Sequence, residues 1–176
     1  MLIQEYQEIW VNDFNRIKAV FEKNLPGIDI EHIGSTSIKY LAAKAIIDID
    51  IVYNRPISFE DVKEGLEKLG YYHNGNQGIE GREVFKRDKL KKSHLILDSV
   101  KHHLYVCEAN NEELQRHLIF RDYLRENEEE RKEYENLKWE IAEKTNQDRK
   151  EYAKLKETMA QEFVDSIIEK AKNKKK

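Results

Sequence analysis

Two aspartates separated by one residue are the side chains of this sequence best suited to bind a metal ion. Asp48 and Asp50 lie in the alternating, Ile-rich run 45–53; residues two apart on a strand point to one side, with Cα atoms about 6.5 to 7 Å apart. Two carboxylates beside apolar neighbours are unfavourable unless a cation or hydrogen-bond donors compensate their charge. The spacing therefore predicts a Mg²⁺ site, because Mg²⁺ binds carboxylate oxygens and shares its shell with substrate phosphates.

A Gly-Ser pair, Gly34 and Ser35, precedes Asp48 with twelve residues between. Glycine lets the backbone approach a phosphate closely, and the hydroxyls of Ser35 and Thr36 can donate to phosphate oxygens together with nearby N–H groups. Phosphoryl transfer depends on such positioning and on neutralised charge. Together the two features predict a phosphate and metal site. The alternative is a surface strand with incidental acids after a turn.

The spacing of apolar residues predicts the elements that would position these groups. Apolar residues at steps of three or four predict an N-terminal helix that ends at Pro26 and Gly27. Ser58 and Asp61 form a capping-box pattern, which predicts a second helix ending at Gly70. Strands are predicted at 28–33, at 45–53, twice within 71–87, and at 101–107.

The chain changes character near Asn110. Beyond it the sequence contains no Gly or Pro, and its apolar residues return at helical spacing among many charges. We therefore predict an α+β fold with a mixed β-sheet, flanking helices and a C-terminal helical extension. Residues 1–108 would form the α/β core, and residues 109–176 would form a helical part packed on it as one cooperative unit.

The Gly-Ser pair followed by Asp-x-Asp resembles the signature of the nucleotidyltransferase superfamily that includes polymerase beta. The wider segment 32–49 resembles the GrpB family, whose hallmark is a His-Ile-Gly-Ser-Thr run leading to Ala-Ala-Lys-Pro-Ile-Ile-Asp. Later matches are Leu69-Gly70-Tyr71, His102-His103-Leu104 and the segment 116–124. The resemblance covers nearly the whole chain and implies a nucleotidyltransferase-like fold. Lys39, Tyr40 and Ala45 stand where the family usually has Pro, Gly and Pro.

Active members of that superfamily generally carry a third acidic residue on a later strand. The corresponding strand here, 101–107, has no acid in its interior. His103 is the candidate for this third position, because a neutral imidazole can accept a proton near pH 7. An ordinary hydrogen-bonding strand histidine is an equal alternative. Asp98 and Glu108, at the predicted strand ends, are the fallback acids.

Several cationic side chains could offset the charge of a triphosphate. We predict this role for Lys44 and for Arg121, since an Arg-Asp pair within an apolar helix face usually has a buried partner. For Arg82 and Arg87 we expect solvated strand charges. Lys138 and Lys156, each four residues after a tyrosine, could line the opening of the site, but the default expectation for both is a helix surface.

Composition narrows the range of partners. A net charge of −3 gives no overall attraction to nucleic acid, so a nucleic-acid partner is not expected. No segment approaches the roughly 18 apolar residues of a membrane span, and no membrane partner is predicted. The single cysteine, Cys107, agrees with a reducing compartment, and we predict a cytoplasmic location.

The sequence thus favours a Mg²⁺-dependent nucleotidyltransferase that moves a nucleotidyl group from a nucleoside triphosphate to a small acceptor. Asp48, Asp50 and His103 would be the catalytic residues, with both aspartates as metal ligands. Two alternatives stay open. One is a catalytically silent nucleotide- or phosphate-binding module, and the other is an interaction adaptor that works through the C-terminal helices.

Overall fold

The computed structural model of this chain describes residues 1–174, so the last two residues of the predicted helical part lie outside it. Its centre is a five-stranded sheet in the order β1-β2-β5-β4-β3. The strands are β1 (Asp29–Ile33), β2 (Ile47–Tyr53), β3 (Tyr71–His73), β4 (Arg82–Arg87) and β5 (His102–Glu108). Strands β2 and β5 are parallel and the other neighbours are antiparallel, so the sheet is mixed.

Over residues 1–174, six α-helices flank this sheet. They are α1 (Ile9–Asn24), α2 (Phe59–Lys68), α3 (Leu95–Ser99), α4 (Glu112–Glu126), α5 (Glu128–Lys144) and α6 (Arg149–Lys174). The predicted capping box opens α2, where Ser58 Oγ accepts from Asp61 N and Asp61 Oδ2 accepts from Ser58 N. The short α3 was not anticipated, because five residues are too few to show helical periodicity. The predicted α+β class is confirmed.

The alternation along β2 gives the two faces of the sheet different roles. Ile47, Ile49 and Ile51 are buried in the main core with Phe14 and Phe21 of α1. Asp48 and Asp50 lie on the opposite face, as period-two geometry requires. The C-terminal helices cover that second face, so the aspartates lie between the sheet and the helices.

The segment between β1 and β2 is held from two sides. Ile38 and Leu41 are buried in a cluster with Tyr123 and Tyr134 of the C-terminal helices. On its other side, Gln4 and Ala43 exchange backbone hydrogen bonds of 2.9 Å in an isolated β-bridge. The Gly-Ser segment is therefore fixed between Gln4 near the N-terminus and the C-terminal helices. Within residues 1–174 no helix has the length and apolar character needed to cross a membrane.

Candidate functional site

A cleft of about 820 Å³ separates the second sheet face from the C-terminal helices. Most of the predicted site residues line its wall: Gly34, Ser35, Thr36, Lys44, Asp48, His103 and Arg121. Asp50 lies behind this wall, and none of its surface is exposed. The structure thus brings together the residues that the sequence separates by up to 87 positions, while it places the two aspartates in different surroundings.

Gly34 occupies a position that no other residue fits without strain. Its φ of 71° lies in the left-handed region, and an added Cβ would come 2.4 Å from Asp48 Oδ2. Antiparallel pairing of Ile33 with Asp48 produces this proximity. A short 3₁₀ turn, Ser35–Ser37, follows directly, and Ser37 Oγ donates to the Gly34 carbonyl at 2.6 Å. The turn therefore presents its first N–H groups and the Ser35 hydroxyl beside a carboxylate.

His103 lies next to Asp48 because β2 and β5 are parallel and pair these two residues. His103 Nδ1 is 2.9 Å from Asp48 Oδ1, and the two side chains are 52% and 31% exposed. When Nδ1 carries the proton, it donates to Asp48 and leaves Nε2 free to accept one. The structure thus places the predicted third residue against the first aspartate.

The charge of Asp50 is compensated by Arg82. Arg82 Nε and Nη2 donate to Asp50 Oδ1 at 3.2 and 3.0 Å. The Arg82 guanidinium lies 3.5 Å from the centre of the Tyr105 ring. The expectation of a solvated charge at Arg82 was wrong, because the residue faces the covered side of the sheet and is 6% exposed. It was also wrong for Arg87, because that side chain is largely buried in its pair with Asp98. Sequence reasoning had assigned the charge that compensates Asp50 to a metal ion.

His117 of α4 completes this buried network and was not singled out from the sequence. Its Nε2 is 3.2 Å from Glu113 Oε1 and its Nδ1 is 3.9 Å from Asp50 Oδ2. Burial lowers the pKa of His117, but the nearby carboxylates of Asp50 and Glu113 outweigh burial and raise the pKa above its ordinary value. The one available signal was the four-residue spacing from Glu113 to His117, which places both on one helix face.

Neither fallback acid lines the cleft. Asp98 accepts hydrogen bonds from Arg87 at 2.8 and 2.9 Å, and Glu108 is exposed at the end of β5. Over residues 1–174, no three His, Cys, Asp or Glu side chains converge in a metal-holding arrangement. Asp48 and the unpartnered Asp50 Oδ2 could still hold a Mg²⁺ that takes its remaining oxygens from phosphates and water.

Three lysines form a cationic region at the helical end of the cleft, which we call the lysine corner: Lys44, Lys138 and Lys156. Within residues 1–174 none of them has a carboxylate at ion-pair distance. Lys138 is buried and donates to the Ala42 carbonyl. Burial, followed by the charge of Lys156, holds the pKa of Lys138 well below its usual value. The default expectation of a solvated helix surface therefore fails for Lys138, because that face of α5 turns toward the cleft.

Two predicted phosphate-binding groups already have partners within the protein. Arg121 Nη1 donates to Glu31 Oε2 at 2.6 Å and to the His32 carbonyl at 3.0 Å. The Thr36 hydroxyl is 3.0 Å from His32 Nε2 and donates to the Ile46 carbonyl at 3.3 Å. These contacts fix the Gly-Ser segment in place. Lys44 and Lys156 of the lysine corner, Ser35 and the backbone N–H groups of the turn are more available to a ligand.

Comparison with known proteins identifies a family that matches this sequence. The family described as GrpB protein matches residues 1–170. The Glutamate-rich protein GrpB of Alkalihalophilus pseudofirmus is 35% identical over 154 residues, which are 82% of each chain. The UPF0157 protein YqkA of Bacillus subtilis is 38% identical over 141 residues. That match covers 78% of this chain but 38% of the relative.

A solved structure agrees with the fold over its full extent. The crystal structure of conserved protein GrpB from Enterococcus faecalis matches with a TM-score of 0.76 at 30% identity. The match covers 98% of both chains, including the C-terminal helices. The helical part and the sheet thus occur together in that relative, in the arrangement that forms the cleft.

Proposed function

The chain belongs to the GrpB family, and we propose that it is a Mg²⁺-dependent nucleotidyltransferase that acts on a small acceptor. The observation that carries this proposal is the meeting of Gly34, Asp48 and His103 at one place in the cleft. Gly34 provides a backbone open to phosphate, Asp48 provides a carboxylate, and His103 provides an imidazole that can accept a proton. Gly34 and His103 each lie directly beside Asp48. Nucleotidyl transfer depends on positioned phosphates, neutralised charge and a proton acceptor, and these three groups can supply them.

The triphosphate would lie between the 3₁₀ turn and the lysine corner. The N–H groups of the turn and the Ser35 hydroxyl can donate to phosphate oxygens. Lys44 and Lys156 supply positive charge without a competing carboxylate. The cleft volume of about 820 Å³ lies within the range of small-molecule sites, which is roughly 300–1,000 Å³.

Asp48 is the residue best placed to bring a metal ion to those phosphates. Its Oδ1 faces His103 and its Oδ2 faces Gly34, so the second oxygen lies on the phosphate side. Asp50 Oδ2 would serve as the second protein ligand. When bound here, Mg²⁺ supplies neutralising charge to the phosphates and to the departing pyrophosphate.

The transfer itself would use His103. The acceptor hydroxyl oxygen forms a bond to the α-phosphorus while the bond from that phosphorus to the bridging oxygen breaks. Pyrophosphate leaves with the bonding electron pair, and the hydroxyl proton passes to His103 Nε2. Asp48 holds Nδ1–H and thereby orients the ring and stabilises the charge that the imidazole gains.

Binding is tested by calorimetric titration of the protein with ATP, GTP, CTP and UTP, each with and without Mg²⁺. We expect Mg²⁺-dependent binding of at least one nucleotide, weakened about tenfold or more in Asp48→Asn because a phosphate-facing carboxylate is lost. Asp29→Asn, on the exposed end of β1, is the matched control. Equal affinity in Asp48→Asn and in the control would contradict the metal assignment.

Turnover is tested separately with His103→Gln. Loss of a general base typically lowers rate by about 10²- to 10⁴-fold, so pyrophosphate release should fall while nucleotide affinity stays unchanged. His73→Gln is the control, because His73 pairs with Glu83 away from the cleft. A variant that releases pyrophosphate at the original rate would remove His103 from the chemistry.

The second candidate function is a binding module that retains the pocket without turnover. It is favoured by the Arg82–Asp50 pair, which occupies one oxygen of the second aspartate, and by the absence of an acid from the interior of β5. This function predicts nucleotide binding with no pyrophosphate released in any acceptor screen. Release of pyrophosphate in proportion to nucleotide consumed would rule it out.

A further inference from the structure

A second groove of about 640 Å³ adjoins the cleft on the side away from the lysine corner. Arg82, His103 and Tyr105 line both cavities, so these residues form a shared wall. The other lining residues come from β4, from β3 and the loop after it, from the segment around α3 and from the start of β5. The C-terminal helices contribute no residue to it. A molecule in this groove would reach His103 from the opposite direction to a nucleotide in the cleft.

The groove carries mainly positive charge. Lys86, Lys89 and Lys101 line it and are exposed, and each lacks a carboxylate at ion-pair distance in the part of the chain that the structure describes. Asp98 is the acid among the lining residues, and its charge is already used by Arg87. The groove is therefore locally positive on a chain whose net charge is −3. A positive concave surface concentrates anions.

The remaining lining suits a small organic molecule. Val84 pairs with Tyr105 across β4 and β5, which places both on the groove side of the sheet. Ile79 adds exposed apolar surface, and Asn76 and Gln77 add uncharged hydrogen-bonding groups. The Arg82 guanidinium stacked on Tyr105 holds the shared wall in place. Apolar walls with a few polar groups are typical of ligand pockets of this size.

We infer that this groove is the acceptor site and that the acceptor is a small anionic molecule with a free hydroxyl. Its phosphate or carboxylate group binds Lys86 and Lys101, and its hydroxyl lies against His103. This inference rests on the proposed nucleotidyl transfer, because it assigns the acceptor class of the same reaction. It also predicts binding that can be measured without any nucleotide.

The test uses the full chain and two probes, glycerol 3-phosphate and glycerol, followed by two-dimensional amide NMR. Glycerol 3-phosphate should shift amides of 82–87 and 101–105, and the neutral probe should shift them far less. Lys86→Gln/Lys101→Gln should weaken this binding about five- to tenfold, and added salt should weaken it further. Lys91→Gln is the control, since Lys91 is exposed but does not line the groove.

Three results would overturn the inference. They are equal binding of the two probes, shifts confined to the lysine corner, and unchanged affinity in the double variant. A ribotrinucleotide that binds much more tightly than glycerol 3-phosphate would replace the small acceptor with a nucleic-acid end. Loss of nucleotide binding in the cleft is a different outcome, because it defeats the proposed transfer while leaving anion binding in the groove intact.

Discussion

Arg82 on β4 donates two hydrogen bonds to Asp50 Oδ1 on β2, across the intervening strand β5. Both side chains are buried, and Tyr105 of β5 lies against the guanidinium. Arg82, Asp50 and Tyr105 therefore connect β4, β2 and β5 beneath the cleft. The Arg82 contact also gives the two aspartates different surroundings, since Asp48 opens onto the cleft while Asp50 is buried, with Oδ1 paired to Arg82 and Oδ2 left without a hydrogen-bond partner among residues 1–174.

Removing one member of this pair should destabilise the fold strongly. Arg82→Met leaves the Asp50 carboxylate buried without its partner, which typically costs about 3–5 kcal/mol. Asp48→Asn should change the free energy of unfolding by about 0–1 kcal/mol, because its contact with His103 is partly exposed. Urea unfolding measures both values.

The double variant Arg82→Met/Asp50→Asn separates pairing from simple loss of packing. If the two groups stabilise each other, the double variant is less destabilised than the sum of the single variants. Additive losses would show that each residue acts independently of the other.

The glycine beside Asp48 supports a second prediction. Gly34→Ala should lose about 1–3 kcal/mol of stability from the backbone alone, because a φ of 71° with a ψ of −176° is a conformation that essentially only glycine adopts. The added Cβ would also displace the Asp48 carboxylate, so Mg²⁺-dependent nucleotide binding should be lost as well. Calorimetric titration and urea unfolding of the same preparation give the two readouts.

Gly75→Ala is a matched control for this substitution. Gly75 has a φ of 73°, and an added Cβ there meets no atom within 4 Å. It should show a similar loss of stability with unchanged nucleotide binding. If Gly34→Ala behaves in the same way as Gly75→Ala, the close approach to Asp48 has no functional consequence.

Local sequence patterns were sufficient for the elements and for the side of the sheet that carries the site. Alternation along 45–53 places Asp48 and Asp50 on one face, and the same rule places His103 with Tyr105. The Ser58–Asp61 capping box marks the start of α2 to the residue. These features depend on neighbours in sequence, so a single chain reveals them.

Contacts between distant segments were not accessible in this way. Arg82 and Asp50 are 32 positions apart, and their pairing follows from a strand order that puts β5 between them. Lys138 is buried because α5 packs over Ala42, 96 positions earlier. A charged residue is expected to be exposed unless its partner is known, and the partner is set by the tertiary structure.

Acid should destabilise the protein through His32. Burial, and then the charge of Arg125, lowers the pKa of His32 from 6.5 to about 4. The unfolded chain therefore binds a proton between pH 6.5 and 4 that the folded chain does not, so stability falls as the pH falls through this window. By linkage at 1.36 kcal/mol for each pKa unit, the loss reaches about 3 kcal/mol near pH 4.

The comparison that isolates His32 is the pH dependence of the free energy of unfolding in the wild type and in His32→Gln. Glutamine does not titrate, so the slope between pH 6.5 and 4 should be shallower in the variant. His94→Gln serves as the control, because His94 lies outside the buried contact of His32 with Phe14 and Thr36. Parallel curves for His32→Gln and the wild type would remove His32 as the cause.

Tyr40 holds a conformation that suits glycine, the residue that the GrpB resemblance leads one to expect at this position. Its φ is 66°, and its side chain is 62% exposed beside the Gly-Ser segment. Tyr40→Gly and Tyr40→Ala remove the same ring, but alanine keeps a Cβ in the left-handed region. Glycine should therefore be more stable than alanine by about 0.5–1 kcal/mol, after allowance for its greater freedom in the unfolded chain.

Urea unfolding of these two variants measures that difference directly, because the lost contacts of the ring are common to both. A greater stability of Tyr40→Ala would mean that the loop between β1 and β2 adopts another backbone in solution. Nucleotide titration of the same pair then connects the loop to the site. Since Ile38 and Leu41 anchor this segment to the C-terminal helices on either side of Tyr40, both variants should retain the affinity of the wild type for nucleotide.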